Sequence, residues 1–329
     1  MKHVLVADIG GTKTLFQLTM ENDDILFEKE YVSQQFAHFD LVLAEFLAEK
    51  KIKHCMIARA CFAVAGPVSG RYADVTNLPW HLNADVLANH FNIEHVHLCN
   101  DFEAVAHGIS SLTEDEIITL QQGEVDLTMP RAVIGAGTGL GQALLFPVAN
   151  GWHVVSTEGG HTDFAPTDNK QILLLEHLID RFGHVSYERV VSGVGLVTIY
   201  HFLRAYEQRS ENPALHLAMM TGDPAAAISR FASDRQDLLA VQALDLFIQI
   251  YGAQAGNLAL TTLPRGGLYL AGGIATKNIE QFKQGLFINS FVAKGRMQPL
   301  MEKIPVHLII QPKVGLLGAR LLALKIIVQ

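Results

Sequence analysis

Apolar residues in the first thirty positions come in short runs rather than at helical spacing. Residues 4–7 are continuously apolar and predict a buried strand, which the Gly10-Gly11 turn ends. Leu15-Phe16-Gln17-Leu18 and residues 25–31 predict two more strands, with the polar turn Glu21-Asn22-Asp23-Asp24 between them. Phe39, Val42, Leu43, Phe46 and Leu47 then recur at three- and four-residue intervals, the spacing of one helix face. Residues 56–64 return to a strand pattern that Gly66-Pro67 closes. Residues 96–99 predict a further strand, running into Asn100-Asp101 and a helix over 102–109.

After Leu112 the same order of elements returns. Arg131-Ala132-Val133-Ile134 predicts a strand that leads into Gly135-Ala136-Gly137-Thr138-Gly139-Leu140-Gly141. The apolar stretch 143–146, a turn at Asn150-Gly151 and a strand over 152–156 follow. Residues 170–260 are mostly helical in pattern, with breaks near Gly183, Gly222 and Asp234. Residues 267–270 predict a late strand ending in Ala271-Gly272-Gly273-Ile274. One more helix, a strand at 306–310 and a C-terminal amphipathic helix complete the pattern. Two halves each open with a strand, a Gly/Thr turn and a hairpin, and no Pro- or Ser-rich linker separates them. That grammar predicts a two-lobed α/β enzyme with a cleft.

Composition narrows the class. At 329 residues the chain is about two domains' worth, taking roughly 150 residues each. Hydrophobic residues are 49% and charged residues 18%, far too apolar for a disordered chain. Lys and Arg total 25 against 33 Asp and Glu, a net charge of −8. With no basic stripe on any segment, a nucleic-acid partner is not expected. Small anions remain open as ligands, because backbone N–H groups and a metal ion bind them without net positive charge. Cys55, Cys61 and Cys99 are odd in number and form no C-x-x-C, which argues for a reducing compartment. The run at 4–7 is too short for a signal peptide, and no charge-free apolar stretch reaches about 18 residues. The nearest approach, 316–328, is broken by Arg320 and Lys325. The expectation is a soluble, cytoplasmic protein with no membrane partner.

Five motifs carry candidate chemistry, each with a plainer reading beside it. Asp8-Ile9-Gly10-Gly11-Thr12-Lys13-Thr14 follows a strand, so glycine backbone can approach a phosphate while Asp8 holds hydrated Mg²⁺; the plainer reading is a hairpin turn. The glycines of 135–141 form a loop with almost no side chains, suited to a polyphosphate or to a simple bend. Their register excludes the dinucleotide fingerprint, since Leu140 stands where G-x-G-x-x-G needs its last glycine. Asn100-Asp101 at a strand's end could orient a polyol and act as general base, or merely cap a helix. Glu158 and His161 in Thr157-Glu158-Gly159-Gly160-His161, together with Glu188, are groups that recognise vicinal hydroxyls, or else solvated surface. Gly272-Gly273 leaves room for a flat ring against backbone, or serves an ordinary strand–helix junction.

Taken together and in this order, these motifs, with Ser192-Gly-Val-Gly-Leu196 and Gly315-Leu-Leu-Gly318, resemble the bacterial glucokinases. Those enzymes belong to the sugar kinase, actin and heat-shock-chaperone superfamily. The resemblance covers nearly the whole chain. It implies a two-lobed actin-like ATPase (ribonuclease H-like) fold, with the active-site cleft between a small domain, 1–111 plus 312–329, and a large one, 112–311. It implies transfer of the γ-phosphoryl group of ATP to the 6-hydroxyl of D-glucose. Carried over residue by residue, Asp101 is the base, and Asn77, Asn100, Glu158, His161 and Glu188 are further sugar ligands. Ala7, Asp8, Ile9, Gly10, Gly11, Thr12, Gly137, Thr138, Gly139, Gly272 and Gly273 hold the nucleotide, with Asp8 facing Mg²⁺ through water. A homodimer is implied by the resemblance alone.

Val194 departs from the Pro that many relatives carry, and Lys13 from a frequent Asn. These departures bear on the rigidity of the sugar loop and on nucleotide fine-tuning. The cysteine-rich zinc motif of the related ROK kinases is absent. The alternatives are a kinase for another hexose, since one epimeric hydroxyl is a modest recognition difference, and a non-catalytic sugar or nucleotide sensor on the same scaffold. A filament-forming relative would share the phosphate loops without needing Asn100, Glu158 and His161 together.

Overall fold

The computed structural model describes residues 3–325 except 22, 23, 50, 53, 54 and 150. Asn22 and Asp23 of the first expected turn, Asn150 of the second, and Ile326, Ile327 and Val328 of the C-terminal run lie outside the described residues. The chain divides into two compact units. One comprises Met1–Thr113, Val154–Ser156 and Lys313–Gln329, the other Glu114–His153 and Thr157–Pro312.

The first unit holds β1 (His3–Ile9), β2 (Lys13–Met20), β3 (Ile25–Val32), β4 (Ile57–Val64), β5 (Val68–Ser69), β6 (Tyr72–Asp74), β7 (His81–Asn83) and β8 (His95–Asn100). Five of these make one sheet in the order β3-β2-β1-β4-β8, and β5 to β7 make a small second sheet. β1 pairs antiparallel with β2 and parallel with β4, which pairs parallel with β8. Covered on both faces, β1 is continuously apolar, as buried parallel strands are. Val4 and Val6 pack with Cys61, Ala63 and Ala104 on one side. Leu5, Ala7 and Ile9 pack with Phe16, Phe39 and Phe62 on the other. Around the sheet lie α1 (Phe39–Leu47), α2 (Ala84–Phe91) and α3 (Asp101–Gly108). The pattern did not reveal α2 or the small sheet. Strands of two or three residues show no period, and α2 is marked only by its cap, Asn83 Oδ1, which accepts from Asp85 N at 2.9 Å.

The second unit repeats the plan. Its strands are β9 (Ile117–Gln121), β10 (Arg131–Ala136), β11 (Leu140–Val148), β12 (Gly151–Thr157), β13 (Leu268–Ala271) and β14 (Val306–Ile309), in the order β12-β11-β10-β13-β14-β9. As in the first sheet, a hairpin leads and parallel strands follow, β10 with β13 and β13 with β14. The unexpected β9 adds antiparallel to β14. The helical stretch resolves into α4 (Asn169–Phe182), α5 (Gly193–Tyr206), α6 (Pro213–Thr221), α7 (Pro224–Ser233) and α8 (Leu238–Thr262). The expected breaks at Gly183, Gly222 and Asp234 are the C-caps of α4, α6 and α7.

α8 is long and apolar enough, by length and composition, to cross a membrane, which the charge-free criterion did not register because Asp245 interrupts it. However, 72% of its most apolar window is buried within the protein. Tyr251 OH donates to Ile134 O of β10 at 3.1 Å, so α8 is the core helix of this unit. Where one further helix was expected there are four short ones, α9 (Gly273–Lys277), α10 (Ile279–Lys283), α11 (Leu286–Val292) and α12 (Gln298–Met301). Asn278 separates the first two, and Gly285, at φ 93°, starts the third.

The last described element is α13 (Val314–Lys325), which packs on α3 in the first unit. The two helices meet backbone to backbone. A Cβ on Gly318 would overlap Ala104 O, and one on Gly108 would overlap Val314 O. Gly318→Ala is therefore expected to destabilise the fold by about 1–3 kcal/mol, as overpacking does. Thermal unfolding checks this, and an unchanged Tm would show that the helices separate without cost.

Candidate active site

In the first sheet, register brings the candidate residues to one edge. Ile9 pairs with Val64, and Val64 with Asn100, so the carboxyl ends of β1 and β8 lie two strands, roughly 10 Å, apart. Such ends are where parallel sheets expose unpaired backbone to a ligand. The first glycine loop is pinned from behind. Gly10 N donates to Lys13 O and Ser33 N to Thr12 O, both at 2.9 Å. Ser33 Oγ donates to Gly10 O at 2.9 Å and lies 2.9 Å from Thr14 Oγ1. Nothing in the sequence pattern singled out Ser33. Lys13 is turned to β3, where it pairs with exposed Glu30 at 2.6 Å.

Asn77, at φ 65°, occupies the left-handed region that Asn tolerates. A Cβ added to Gly11 would lie 3.6 Å from Asn77 Cβ and 3.1 Å from Thr76 O, so this loop rests on the first glycine turn. Asn100, rather than Asp101, is the cap of α3. Its Oδ1 accepts from Phe102 N at 2.9 Å and Glu103 N at 3.3 Å, and its Nδ2 donates to Gly66 O at 3.2 Å. Expected as a sugar ligand, Asn100 has its amide engaged in the fold. Asp101 is the first residue of the helix that Asn100 sets, with Oδ1 accepting from Phe102 N at 2.9 Å.

The second unit gathers its candidates around Leu140. Glu188 Oε2 accepts from Leu140 N at 2.9 Å and fills the space a side chain at Gly139 would need. On the other side of the same residue, buried Gly160 lies so close that a Cβ would overlap Leu140 O. The turns Gly159–His161 and Tyr187–Arg189 touch. Glu158, His161 and Glu188 thus flank the second glycine loop. His161 Nε2 lies 3.8 Å from Glu158 Oε2, and both side chains are exposed. The loop itself sits on the start of α5. Gly193 N donates to Gly137 O at 2.8 Å, and the α5 cap Ser192 donates from Oγ to Glu188 O at 2.7 Å.

Next to this loop is a cavity of 470 Å³, lined among others by Gly137, Thr138, Val194, Pro224, Ile274 and Asn278. It falls in the size range of small-molecule sites. Gly273 is on its wall, and Gly272 at φ +90° is packed against Ala136. Val194 lines this cavity, so the departure there bears on its shape. The start of α7 was missed entirely. The Asp223-Pro224 pair signals a helix start, but no local pattern says that the helix faces a loop some ninety residues earlier. Among the described residues, no group of three or more His, Cys, Asp or Glu could hold a metal ion.

Comparison with known proteins fits this arrangement. A family model described as Glucokinase matches residues 5–326. The glucokinase of Nostoc punctiforme is 42% identical over 343 aligned residues, covering 99% of this chain and 100% of its own. A solved glucokinase from an Antarctic psychrotroph superposes with a TM-score of 0.81 at 30% identity, covering 98% of this chain and 99% of that one. A Balamuthia mandrillaris glucokinase in complex with glucose gives 0.83 at 24% identity, covering 98% and 93%. The two sheets are those of an actin-like ATPase fold.

One carboxylate stands apart electrostatically. Burial at the strand end lifts the Asp8 carboxyl from 3.8 to about 6. A Cβ on Gly315, in the first turn of α13, would lie 3.4 Å from Asp8 Oδ2. A carboxyl raised in the folded state favours folding at low pH, and that contribution is lost as pH rises from about 4 through about 6. Asp8→Asn removes the buried charge. At pH 7–8 the variant is expected to be more stable than the parent by about 1–3 kcal/mol, the difference vanishing below pH ~4. Denaturant unfolding across pH tests this, and a parent as stable as the variant at pH 8 would contradict it.

Proposed function

The chain belongs to the glucokinase family, and on that premise we propose that it phosphorylates D-glucose at the 6-hydroxyl with ATP, giving glucose 6-phosphate and ADP. The observation that carries this reading is the pairing of phosphate-type and polyol-type groups at each sheet edge. A Gly/Thr loop lies beside Asn100-Asp101 in one unit, and another beside Glu158, His161 and Glu188 in the other. Phosphoryl transfer needs positioning and charge neutralisation more than covalent help from the protein. Asp101 accepts the proton of the attacking hydroxyl. Asn100 fixes that carboxylate by capping α3, and its own amide is a sugar ligand only if it shares its present bonds. Asn77, Glu158, His161 and Glu188 bind the remaining hydroxyls.

In the first unit Ala7, Asp8, Ile9, Gly10, Gly11 and Thr12 are the nucleotide-binding residues, in the second Gly137, Thr138 and Gly139 are, and Gly272 and Gly273 meet the base. Asp8 fits a hydrated Mg²⁺. It is a single, partly buried carboxylate with a raised pKa, and Mg²⁺ is commonly held by one or two carboxylates together with substrate phosphates. When bound, the ion neutralises charge on the β- and γ-oxygens. The functional domains follow as 1–111 plus 312–329 and 112–311. A homodimer in the cytoplasm, without nucleic-acid or membrane partners, completes the proposal.

ADP release from MgATP with a panel of glucose, mannose, fructose, N-acetylglucosamine and N-acetylmannosamine tests it. A kcat/KM at least about tenfold higher for glucose is expected. Preference for another sugar would reassign the substrate, and nucleotide binding with no turnover would favour the sensor. Asp101→Asn is expected to lower kcat by ~10²–10⁴-fold with a smaller effect on the glucose KM. Near-parental turnover would remove Asp101 from the mechanism.

A further inference from the structure

Among the described residues lining the cavity beside the second glycine loop, one buried side chain has a polar atom with no hydrogen-bond partner. The cavity walls are largely apolar, from Val194, Pro224 and Ile274, which suits a flat base but does not tell one base from another. Discrimination must come from polar groups on the wall. Asp223 is already engaged, because Oδ1 caps α7 by accepting from Ala225 N at 2.9 Å and Ala226 N at 3.2 Å. Lys277 has only donors to offer and is suited to an anion. Ser229 has a hydroxyl that either donates or accepts, so it accommodates an amino or a carbonyl group alike.

Asn278 differs from these. It sits between α9 and α10, lines the cavity and is 1% exposed. One end of its amide lies 2.8 Å from Ile274 O, and two oxygens at that distance would repel, so this end is the nitrogen. The same Nδ2 lies 3.4 Å from Ser229 Oγ. Oδ1 is left as a buried acceptor with no partner among the described residues. Buried polar atoms in native proteins are rarely left so, and a missing ligand is one reason for the exceptions.

We infer that Asn278 reads the base of the phosphoryl donor, Oδ1 accepting from the exocyclic amino group of adenine. This rests on the reading of the chain as an ATP-using kinase. Oδ1 is closed off in the structure, so contact with the base requires the amide to turn toward the cavity at the α9–α10 junction. Hypoxanthine and guanine carry a carbonyl where adenine carries that amino group. Against them Oδ1 meets another acceptor and stays unsatisfied. Sites built to hydrogen-bond a substrate N–H reject analogues that lack it more strongly than apolar pockets reject a change of size.

Titration calorimetry of the full chain with MgADP, MgIDP and the Mg²⁺ complex of purine riboside diphosphate, without sugar, tests the assignment. The purine analogue has neither the amino group nor the carbonyl, and so separates a lost donor from acceptor repulsion. MgADP is expected to bind at least about tenfold more tightly than either analogue. In Asn278→Leu the three are expected to fall within about threefold of one another, through loss of ADP affinity. Equal binding of the three to the parent protein overturns the inference whether or not the variant folds, and so does a variant that keeps the parental preference. Because no sugar is present, a different result in the hexose panel overturns the glucose reading and leaves this one standing.

Discussion

The central strands β1 and β10 are covered on both faces, and this constraint governs where chemistry can occur. Along β1 the apolar side chains Val4 to Ala7 and Ile9 are shared between two cores, and along β10 Ala132, Ile134 and Ala136 enter the core of its unit, while both strands pair with a neighbour on either side. Only at the carboxyl ends does the backbone become free to meet a ligand. Both units use those ends in the same way, with a glycine turn directly after the strand. Ile9, Val64 and Asn100 share one edge through register. Gly135 and Ala271 are register partners at the other, so the 137–139 loop and the Gly272-Gly273 turn emerge side by side.

The glycines at these edges serve close packing as much as ligand approach. A side chain at Gly139 would meet Glu188, one at Gly160 would meet Leu140, and one at Gly272 would meet Ala136. Glu188 therefore has two tasks. One is the sugar contact proposed for it, and the other is to hold the backbone of the second glycine loop through Leu140 N. Asn100 likewise combines a cap with a position next to Asp101, the proposed base. Asp8 shows the opposite balance. It is kept at a strand end where burial raises its pKa, a local loss of stability that a bound dication would offset.

Much of this was legible in one dimension. Period and punctuation located most of the strands of both sheets and the helix breaks at Gly183, Gly222 and Asp234. They also showed two halves, each opening with a strand, a glycine turn and a hairpin, as the main sheet of each unit does. The failures have specific causes. α2, β9 and the small β5–β7 sheet are short or only partly buried, so their patterns are weak. The region after Ala271 read as one helix because its breaks, at Asn278 and Gly285, fall within apolar spacing that continues across them. The long α8 is apolar nearly all round, which marks a buried helix without saying whether protein or lipid buries it; packing against β10 answers that.

By itself, the order of strands, glycine turns and carboxylates along the chain carried the resemblance to the family, and that resemblance implied the class of chemistry. These depend on residue types at fixed short spacings, and such spacings survive without coordinates. The tertiary structure alone decided which residues share a site and what else each one does. It put Ser33 behind the first loop, Glu188 against Leu140, Val194 on a cavity wall, and Asn278 with Nδ2 near Ser229 and Oδ1 unpartnered. Each of these contacts joins residues some twenty to fifty or more positions apart. Burial and hydrogen-bond satisfaction are properties of what surrounds an atom in space, and periodicity along the chain does not encode them.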